Sequence, residues 1–391
     1  MSTRVRVLML VWTNVATDTR VLREATSLAN AGYAVHVIGR AVPQSFRPPS
    51  GVTVASVGVG PRSAGRTRTL SAPERAARWL LLPQHVARSL TSWQAAARQA
   101  AMEHAARNGI ADIVHAHDFT ALPVGVDLAR AWGAPLVYDT HEYWVGRPIE
   151  GRPVPARRRQ ERELEAALGA GAAAVITVGE GVARALARDH PDWVPVDVVR
   201  NTFPDRPPGG PVNPAQARGG VYAGRLAADR ELEVLASASQ LTDLPLTALG
   251  PADDAWLNRF DAKAMTVLGP EPLSLVTQRL IDAGIALVTH SDRWPNHRLA
   301  LPNKLFHAIS CGVPVVATDV GELGALVRAT SVGTLYRPGD SRDAARAIED
   351  VRSNYTSFRQ AVETARPQLS WGRDEERLLA VYERVLDRSG R

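Results

Sequence analysis

The chain has 391 residues, of which 45% are hydrophobic and 22% charged, a balance that is typical of globular proteins and excludes wholesale disorder. Its formal net charge of +6 lies mainly between residues 47 and 88, where seven arginines accompany one acid, Glu74, so the surface as a whole is not polybasic and a nucleic-acid partner is not expected. The single cysteine, Cys311, excludes a disulfide framework and a cysteine-rich metal site.

The length predicts two to three domains, at roughly 150 residues per domain. Apolar runs are all shorter than the about 18 residues that a membrane-spanning helix needs. The apolar run over residues 5–11 is also too short for a signal peptide, and no small-residue cleavage site follows it. We interpret it as a first β-strand and expect a cytoplasmic protein.

Short apolar runs alternate with amphipathic stretches along the first half of the chain. The predicted strands are 5–11, 34–38, 52–57, 113–115, 136–138, 173–178 and 196–200. The predicted helices between them are 20–31, 73–107, 120–132, 157–169 and 180–189. Continuous apolar strands that alternate with helices indicate a parallel sheet covered on both faces.

Residues 201–220 are rich in proline and glycine and predict a linker, after which the alternation resumes. The predicted strands are then 221–223, 246–249, 265–268, 285–289, 313–317 and 333–336, and the predicted helices 230–240, 273–283, 303–311 and 341–365. The fold class predicted is α/β, with two Rossmann-like, doubly wound domains, 1–200 and 221–370, that face a cleft. A C-terminal helix within 371–391 can cross back to the first domain.

Ligands of such sheets bind beyond the carboxyl ends of the strands, so the loops after strands are the candidate sites. Gly58 and Gly60 follow a strand and half-resemble a dinucleotide-binding loop, but the third glycine is missing. Two polar clusters also end strands: His115, His117 and Asp118, and then Asp139, His141 and Glu142. These are zinc or iron ligand types, yet they equally suit a substrate site or ordinary loop hydrogen bonds. We favour a substrate site.

Two basic motifs lie in the second half. Gly224 and Arg225 follow its first strand, and Arg230 comes five residues later, so both arginines could reach an anion in the cleft. The alternative is two solvated arginines, which are common in a chain so rich in this residue. Further on, Asn303 is a suitable N-cap and Gly312 a suitable end for a helix that carries Lys304 in its first turn. A cation there opposes the helix dipole unless an anion shares the site, so this motif predicts a diphosphate site.

Together, these motifs resemble the GT-B fold and, within it, the retaining nucleotide-sugar transferases of glycosyltransferase family 4. The similarity runs over nearly the whole chain. Its motifs are Asp18-Thr-Arg20-Val21 with Glu24-Ala25, Asp112-Ile-Val-His-Ala-His117, Tyr138-Asp-Thr-His-Glu142, Ala174-Val-Ile-Thr-Val-Gly-Glu180, Gly224-Arg225-Leu226, Leu301-Pro-Asn-Lys304 and Gly312-Val-Pro-Val-Val-Ala317.

The resemblance implies a division of roles between the two domains. The catalytic residues would be His141, which faces the transferred sugar, with Glu142 and Asp18, while Asn14, His117 and Asp118 lie on the acceptor side. The donor nucleotide sugar would be bound by Gly224, Arg225, Arg230, Leu301, Pro302, Asn303, Lys304 and His307. No metal or other cofactor is expected, because the cations can neutralise the diphosphate and no Asp-x-Asp pair ends a strand.

The sequence departs from the family at two positions. Members often carry two glutamates separated by seven residues, and Leu299 and His307 stand in those places here. In the family the second glutamate contacts the ribose. His307 can therefore replace it with one hydrogen bond to the ribose, or it can pack on the inner face of its helix.

Two other functions remain open. An isomerase of the same fold, such as a nucleotide-sugar 2-epimerase, could use Asp118, Asp139 and Glu142 for proton transfer. A non-catalytic partner subunit that binds nucleotide sugars would explain both missing glutamates. The acceptor is a small molecule of a natural-product pathway or a glycan. Residues 47–88, which include Arg78-Trp-Leu-Leu-Leu82, can alternatively contact an anionic membrane from one side.

Overall fold

The computed structural model describes residues 4–58, 72–148, 153–205 and 214–390. The chain forms two compact units. Unit 1 consists of Met1–Val199 together with Glu375–Arg391, and unit 2 of Arg200–Asp374. Within the described ranges, no helix combines the length and apolar character that crossing a membrane requires.

Unit 1 is built on a seven-stranded parallel sheet with the strand order β3-β2-β1-β4-β5-β6-β7. Its strands are β1 (Arg6–Leu10), β2 (Ala34–Arg40), β3 (Val52–Val57), β4 (Ile113–His117), β5 (Leu136–Thr140), β6 (Ala174–Thr177) and β7 (Val196–Val198). Its first five helices are α1 (Thr19–Asn30), α2 (Ala72–Asn108), α3 (Asp118–Trp132), α4 (Pro155–Gly169) and α5 (Glu180–Asp189). Every residue of β4 and β5 is buried, as expected for central strands that helices cover on both faces.

Unit 2 is built on a six-stranded parallel sheet with the order β10-β9-β8-β11-β12-β13. Its strands are β8 (Gly219–Ala223), β9 (Leu246–Leu249), β10 (Thr266–Leu268), β11 (Gly284–Val288), β12 (Val315–Thr318) and β13 (Gly333–Tyr336). The helices are α6 (Leu232–Ala238), α7 (Asp254–Leu257), α8 (Leu273–Ala283), α9 (Pro295–Leu299), α10 (Asn303–Ser310), α11 (Gly321–Thr330), α12 (Ser341–Ser353), α13 (Tyr355–Ala365) and α14 (Trp371–Ser389). Helix α14 begins in unit 2 and belongs to unit 1 from Glu375 onward.

The predicted class of two doubly wound α/β sheets is confirmed, because every strand pair is parallel and both sheets reverse their order beside the first strand. The predicted helix 341–365 is two helices, since the backbone leaves the helical conformation at Asn354. Helices α7, α9 and α11 were not predicted. Gly321 and Gly324 interrupt the apolar pattern of α11, and the other two are short.

The interpretation of residues 201–220 as a linker needs correction at both ends. Phe203 is buried and pairs with Ser370, and its carbonyl accepts a 2.8 Å hydrogen bond from the amide of Trp371. Gly219 and Gly220 already belong to β8. Residues 206–213 lie outside the described part, as do residues 59–63 of the half-matching dinucleotide loop.

Candidate active site

The two polar motifs of unit 1 meet because their strands are neighbours. Strands β4 and β5 pair in parallel, with His117 opposite Asp139, so the residues that follow them emerge at one edge of the sheet. Nδ1 of His117 lies 3.2 Å from a carboxylate oxygen of Asp139 and 3.1 Å from Nε2 of His141. The structure thus brings these predicted residues into one cluster.

His141 lies between two carboxylates. Its Nδ1 is 3.3 Å from Asp118, its Nε2 is 3.3 Å from Asp139, and its amide donates a 2.9 Å hydrogen bond to Asp118. Burial alone would lower the pKa of His141, but Asp118 and then Asp139 outweigh it and raise this pKa to about 10. Both ring nitrogens therefore carry protons at neutral pH, and His141 supplies a fixed positive charge rather than a base.

Asp118 adopts a left-handed backbone conformation, with a φ of +61°. Such a conformation is strained for a residue other than glycine and persists only where surrounding contacts impose it. Here the Asp118 carboxylate holds both the amide and the ring of His141. The strained backbone of Asp118 therefore belongs to the same residue that positions His141.

A buried arginine balances the charge of this cluster. The guanidinium of Arg20 donates to both carboxylate oxygens of Asp139, at 2.9 and 2.8 Å, and lies 3.0 Å from Glu24. Although burial opposes ionisation, Arg20 holds the pKa of Asp139 well below its usual range. Burial raises the pKa of Glu24 to about 8, because Arg20 offsets only part of the cost. One guanidinium thus serves two carboxylates, and Glu24 holds a proton at neutral pH.

Arg20 and Glu24 were not among the predicted site residues. Both lie on the inner face of α1 with Val21, Ala25 and Leu28, and neither is more than 2% exposed. One feature of the sequence could have identified them: they form an oppositely charged pair, four residues apart, on a helix face that is otherwise apolar.

Glu24, His115, His117 and Asp139 offer four potential metal ligands, whose ligand atoms all lie within 4.8 Å of one another. The set fits a divalent cation poorly. Arg20 already pairs with both carboxylates, so an added cation would sit beside a buried guanidinium and compete with it for the same oxygens.

Asp18 and Asn14 cap helices in the loop after β1. Asp18 accepts hydrogen bonds from the amide of Val21 and from the hydroxyl of Thr13, at 3.2 and 2.7 Å. Asn14 accepts one from the amide of Ala16 at 3.0 Å. Both side chains therefore have a structural role as helix caps, although Asp18 was predicted to be catalytic and Asn14 to lie on the acceptor side.

The predicted catalytic Glu142 is paired with Arg147, whose Nη1 lies 3.1 Å from the carboxylate and whose guanidinium stacks over Trp144. Burial raises the pKa of Glu142, and Arg147 offsets part of the shift. Asp118 is likewise paired with His141, and Asp139 with Arg20. All three carboxylates that an epimerase could use as bases therefore already have a cationic partner.

In unit 2 the loop after β8 closes tightly against Lys304 of α10. A Cβ atom added at Gly224 would lie 2.3 Å from Cε of Lys304, so any larger residue would force the end of the lysine side chain to move. The Lys304 amine lies 5.3 Å from the centre of the buried Tyr222 ring. Burial and then Arg230 lower the pKa of Lys304 to about 7, against a smaller opposing effect of Asp229.

The predicted donor-site arginines differ in exposure. Arg230 is half-buried, and its Nε lies 3.5 Å from the carboxylate of its neighbour Asp229. Arg225 is exposed, and its carbonyl accepts a 2.9 Å hydrogen bond from the Tyr222 hydroxyl. The structure thus brings Gly224, Arg230 and Lys304 together and leaves Arg225 at the surface of the same loop.

The start of α10 corrects one prediction. Pro302 is the N-cap, and the exposed Asn303 is the first helical residue, so Asn303 does not cap the helix. Leu301 and Pro302 are buried. The predicted end is confirmed, because Gly312 follows the helix with a φ of +70°, in the left-handed region.

His307 occupies the packed position that was the alternative to a ribose contact. The residue is 7% exposed, and its ring stacks on Phe203 with 4.6 Å between the ring centres. Nε2 lies 2.9 Å from the hydroxyl of Thr277 on α8. The ring is held on one face and at one nitrogen, so His307 packs inside unit 2 and the predicted contact with a ribose is not supported.

Two family models match the chain in succession. Residues 16–202 match a "Glycosyl transferase 4-like domain", and residues 218–354 match "Glycosyl transferases group 1". The D-inositol 3-phosphate glycosyltransferase of Geodermatophilus obscurus is 26% identical over 407 aligned residues, which cover 93% of this chain and 83% of that protein. Its counterpart from Arthrobacter sp. (strain FB24) is 26% identical over 323 residues, 72% of each chain.

Solved structures agree on the fold. The sucrose-phosphate synthase of Thermosynechococcus elongatus superimposes with a TM-score of 0.70 at 15% identity, covering 98% of this chain and 100% of that one. Anabaena HepE in complex with UDP-glucose gives a TM-score of 0.65 at 16% identity, covering 97% and 99%. The chain is therefore a glycosyltransferase with the GT-B fold. Among such enzymes it resembles family 4, as its sequence motifs predicted.

Proposed function

We propose that this glycosyltransferase takes its sugar from a nucleoside-diphosphate sugar and transfers it with retention of configuration. The observation that carries the donor assignment is Lys304, whose amine is held against Gly224 and Tyr222 without a paired carboxylate among the described residues. A cation in that state lacks the counter-charge that a diphosphate supplies. The complex of HepE with UDP-glucose supports this class of donor, and the retention rests on the resemblance to family 4.

The chemistry assigned to the site needs no metal. A departing nucleoside diphosphate develops negative charge, and preorganised cations stabilise it most where water is excluded. Arg230 supplies one positive charge and the protonated amine of Lys304 a second, with Arg225 at the exposed surface of the same loop. We therefore propose transfer without a metal or another cofactor.

For the acceptor we propose a small polar molecule of a natural-product or glycan pathway. The curated relatives are named for D-inositol 3-phosphate, which is an acceptor of this kind. Contact with an anionic membrane is the competing proposal, since Trp79, Leu80 and Leu81 on α2 are each about half exposed beside Arg78. Flotation with anionic vesicles separates the two, because a small-molecule enzyme should remain unbound.

A thermal-shift screen with UDP, GDP, ADP and their glucose conjugates tests the donor. A nucleotide at 100 times its Kd should stabilise the protein by about 2.7 kcal/mol. Lys304→Ala should abolish most of the shift, whereas Lys263→Ala, at an exposed lysine of the same unit, should preserve it. If no nucleotide stabilises the protein, the donor assignment fails. Tight binding without turnover would instead favour a non-catalytic partner subunit.

Activity in a strong chelator tests metal independence. We expect the transfer rate to be unchanged after dialysis against EDTA. A complete loss of activity that Mg²⁺ or Mn²⁺ restores would overturn this part of the proposal.

A further inference from the structure

Two buried histidines of unit 2 lie within electrostatic range of Lys304, the lysine of the proposed donor site. His290 follows β11, and His297 belongs to α9; each residue is 5% exposed. Their rings stack with 5.0 Å between the centres and an angle of 21°. The amide of His290 donates a 2.8 Å hydrogen bond to the hydroxyl of Thr318 on β12, which fixes the loop that carries it. The roles proposed for Lys304, Arg230 and His141 involve neither of these rings.

The hydrogen bonds of the pair determine where each ring carries its proton. Nδ1 of His290 lies 3.3 Å from the carbonyl oxygen of His297, and Nδ1 of His297 lies 3.2 Å from that of Ser291. Because a carbonyl only accepts, Nδ1 is the donor in each neutral ring, and Nε2 keeps its lone pair. Nε2 of His297 lies 3.9 Å from the carboxylate of Asp229, outside hydrogen-bonding distance. A second proton on either ring would therefore go to Nε2.

Positive charge exceeds negative charge around the two rings. Lys304 and Arg230 act on both histidines, while Asp229 is the carboxylate that opposes them at His297. Burial and then Lys304 hold the pKa of His290 well below its usual value. Burial and then Arg230 lower the pKa of His297. Asp229 is also shared, since it lies 3.5 Å from Nε of Arg230.

The same imbalance acts on Lys304. Its neighbours are Arg230, Asp229 and the ring of Tyr222, and among the described residues no carboxylate forms an ion pair with its amine. Two neutral imidazoles and an amine that is partly neutral at pH 7 therefore share one excess of positive charge, and a bound anion would favour protonation of all three.

We propose that His290 and His297 extend the diphosphate site, and that this histidine pair together with Lys304 takes up about one proton from the solvent when the diphosphate binds. This inference rests on the proposed nucleoside-diphosphate donor. The diphosphate provides the missing negative charge, so the protonated forms gain a partner that they lack in the free protein.

The expected consequence is a pH-dependent affinity. The terminal phosphate of UDP titrates near pH 6, as phosphate monoesters do, so UDP is fully ionised above pH 7.5. If the site takes up one proton, the Kd for UDP should rise by about tenfold per pH unit between pH 7.5 and 9. A site of fixed charge would show a flat profile over this range.

The chain contains only two lysines, Lys263 and Lys304, which permits a direct measurement on the wild-type protein. Lysine labelled with ¹³C at Cε gives two side-chain signals in a ¹H–¹³C correlation spectrum, and Lys263→Arg assigns them. We expect the Lys304 signal to titrate near pH 7 in the free protein and only above pH 9 with saturating UDP. The Lys263 signal should not respond to UDP.

Calorimetry of UDP binding at pH 8 in two buffers of different ionisation enthalpy then counts the protons. Wild type and Lys263→Arg should take up about one proton, and Lys304→Arg less, because a guanidinium is always charged. Replacing both histidines by glutamine in Lys304→Arg should remove the remainder. If UDP binds with the same heat in both buffers, or if Lys304→Arg takes up no proton, the histidine pair plays no part in binding and this inference fails while the proposed donor stands. If UDP does not bind, the proposed donor fails with it.

Discussion

Arg20 shows how a single residue sets the charge of the buried cluster in unit 1. Its guanidinium forms two hydrogen bonds with Asp139 and lies beside Glu24, so Asp139 is ionised and Glu24 keeps a proton at neutral pH. Glu24→Gln removes a carboxyl group whose raised pKa costs stability at neutral pH, so the free energy of unfolding of unit 1 should stay the same or rise. Asp139→Asn leaves a buried guanidinium without its main partner and should cost about 3–5 kcal/mol.

Denaturant unfolding of the two variants and of their combination measures the coupling. In Asp139→Asn, Glu24 can ionise and recover part of the loss, a route that the double variant lacks. The double variant should therefore be less stable than the sum of the single effects predicts. If Glu24→Gln alone is as costly as Asp139→Asn, Glu24 carries the charge and the assignment is reversed.

At the residue scale, strand register decides where the polar residues of unit 1 lie. His117, Asp118 and His141 were predicted to follow strand ends, and the parallel pairing of β4 with β5 brings them together at one edge of the sheet. By contrast, the position of the His307 ring depends on its contacts with Phe203 and Thr277. Both are distant in sequence, so the local spacing around His307 does not predict them.

At the scale of elements, α14 contributes a buried face to unit 1 after its first turn. Leu378, Val381, Tyr382 and Val385 are each at most 2% exposed. The Tyr382 hydroxyl lies 2.8 Å from Nδ1 of His115, which links the C-terminal helix to the polar cluster. Tyr382→Phe leaves that buried nitrogen without its partner and should lower the stability of unit 1 by about 1–3 kcal/mol.

Tyr33 provides the matched control for this substitution. It packs edge-on against Tyr382 with 5.5 Å between the ring centres, but it is only half-buried. Tyr33→Phe should therefore be close to neutral in the same unfolding measurement. Equal costs for the two variants would show that the His115 hydrogen bond contributes nothing.

Element boundaries were predictable where a local signal exists. Gly312 ends α10 as expected, because a left-handed residue is needed there. The break at Asn354 escaped prediction, since the amphipathic pattern continues through it from α12 to α13. At the start of α10, Asn303 has a capping side chain but lies one residue inside the helix, which composition alone does not reveal.

For the whole molecule, both sheets follow from the alternation of apolar runs and helices, whereas the boundary between the units does not. The sequence placed a linker over 201–220 and a separate C-terminal helix from 371. The units divide at Arg200 and again after Asp374, because Phe203 and the residues around Ser370 pair within unit 2. Segments that pair across so many residues leave no local pattern in the sequence, so this boundary could not be predicted from it.

The same division separates the proposed roles of the site residues, because His141 belongs to unit 1 and Lys304 to unit 2. His141→Ala should lower the rate of sugar transfer by about 10- to 150-fold, the value of a lost charge-assisted hydrogen bond of roughly 1.5–3 kcal/mol. The Kd for UDP should change by less than about twofold, since the contacts assigned to the diphosphate all lie in unit 2. Lys304→Ala should impair both quantities.

Two further variants, His141→Gln and His85→Ala, make the comparison of His141→Ala with Lys304→Ala decisive. His141→Gln keeps hydrogen-bonding capacity but removes the charge that Asp118 and Asp139 hold, so it should lose rate like His141→Ala if the charge matters. His85→Ala, at an exposed position on α2, should retain wild-type kinetics. Circular dichroism melting of each variant identifies any loss that comes from unfolding of unit 1. A large rise in the Kd for UDP with normal turnover in His141→Ala would place His141 at the nucleotide instead of the sugar.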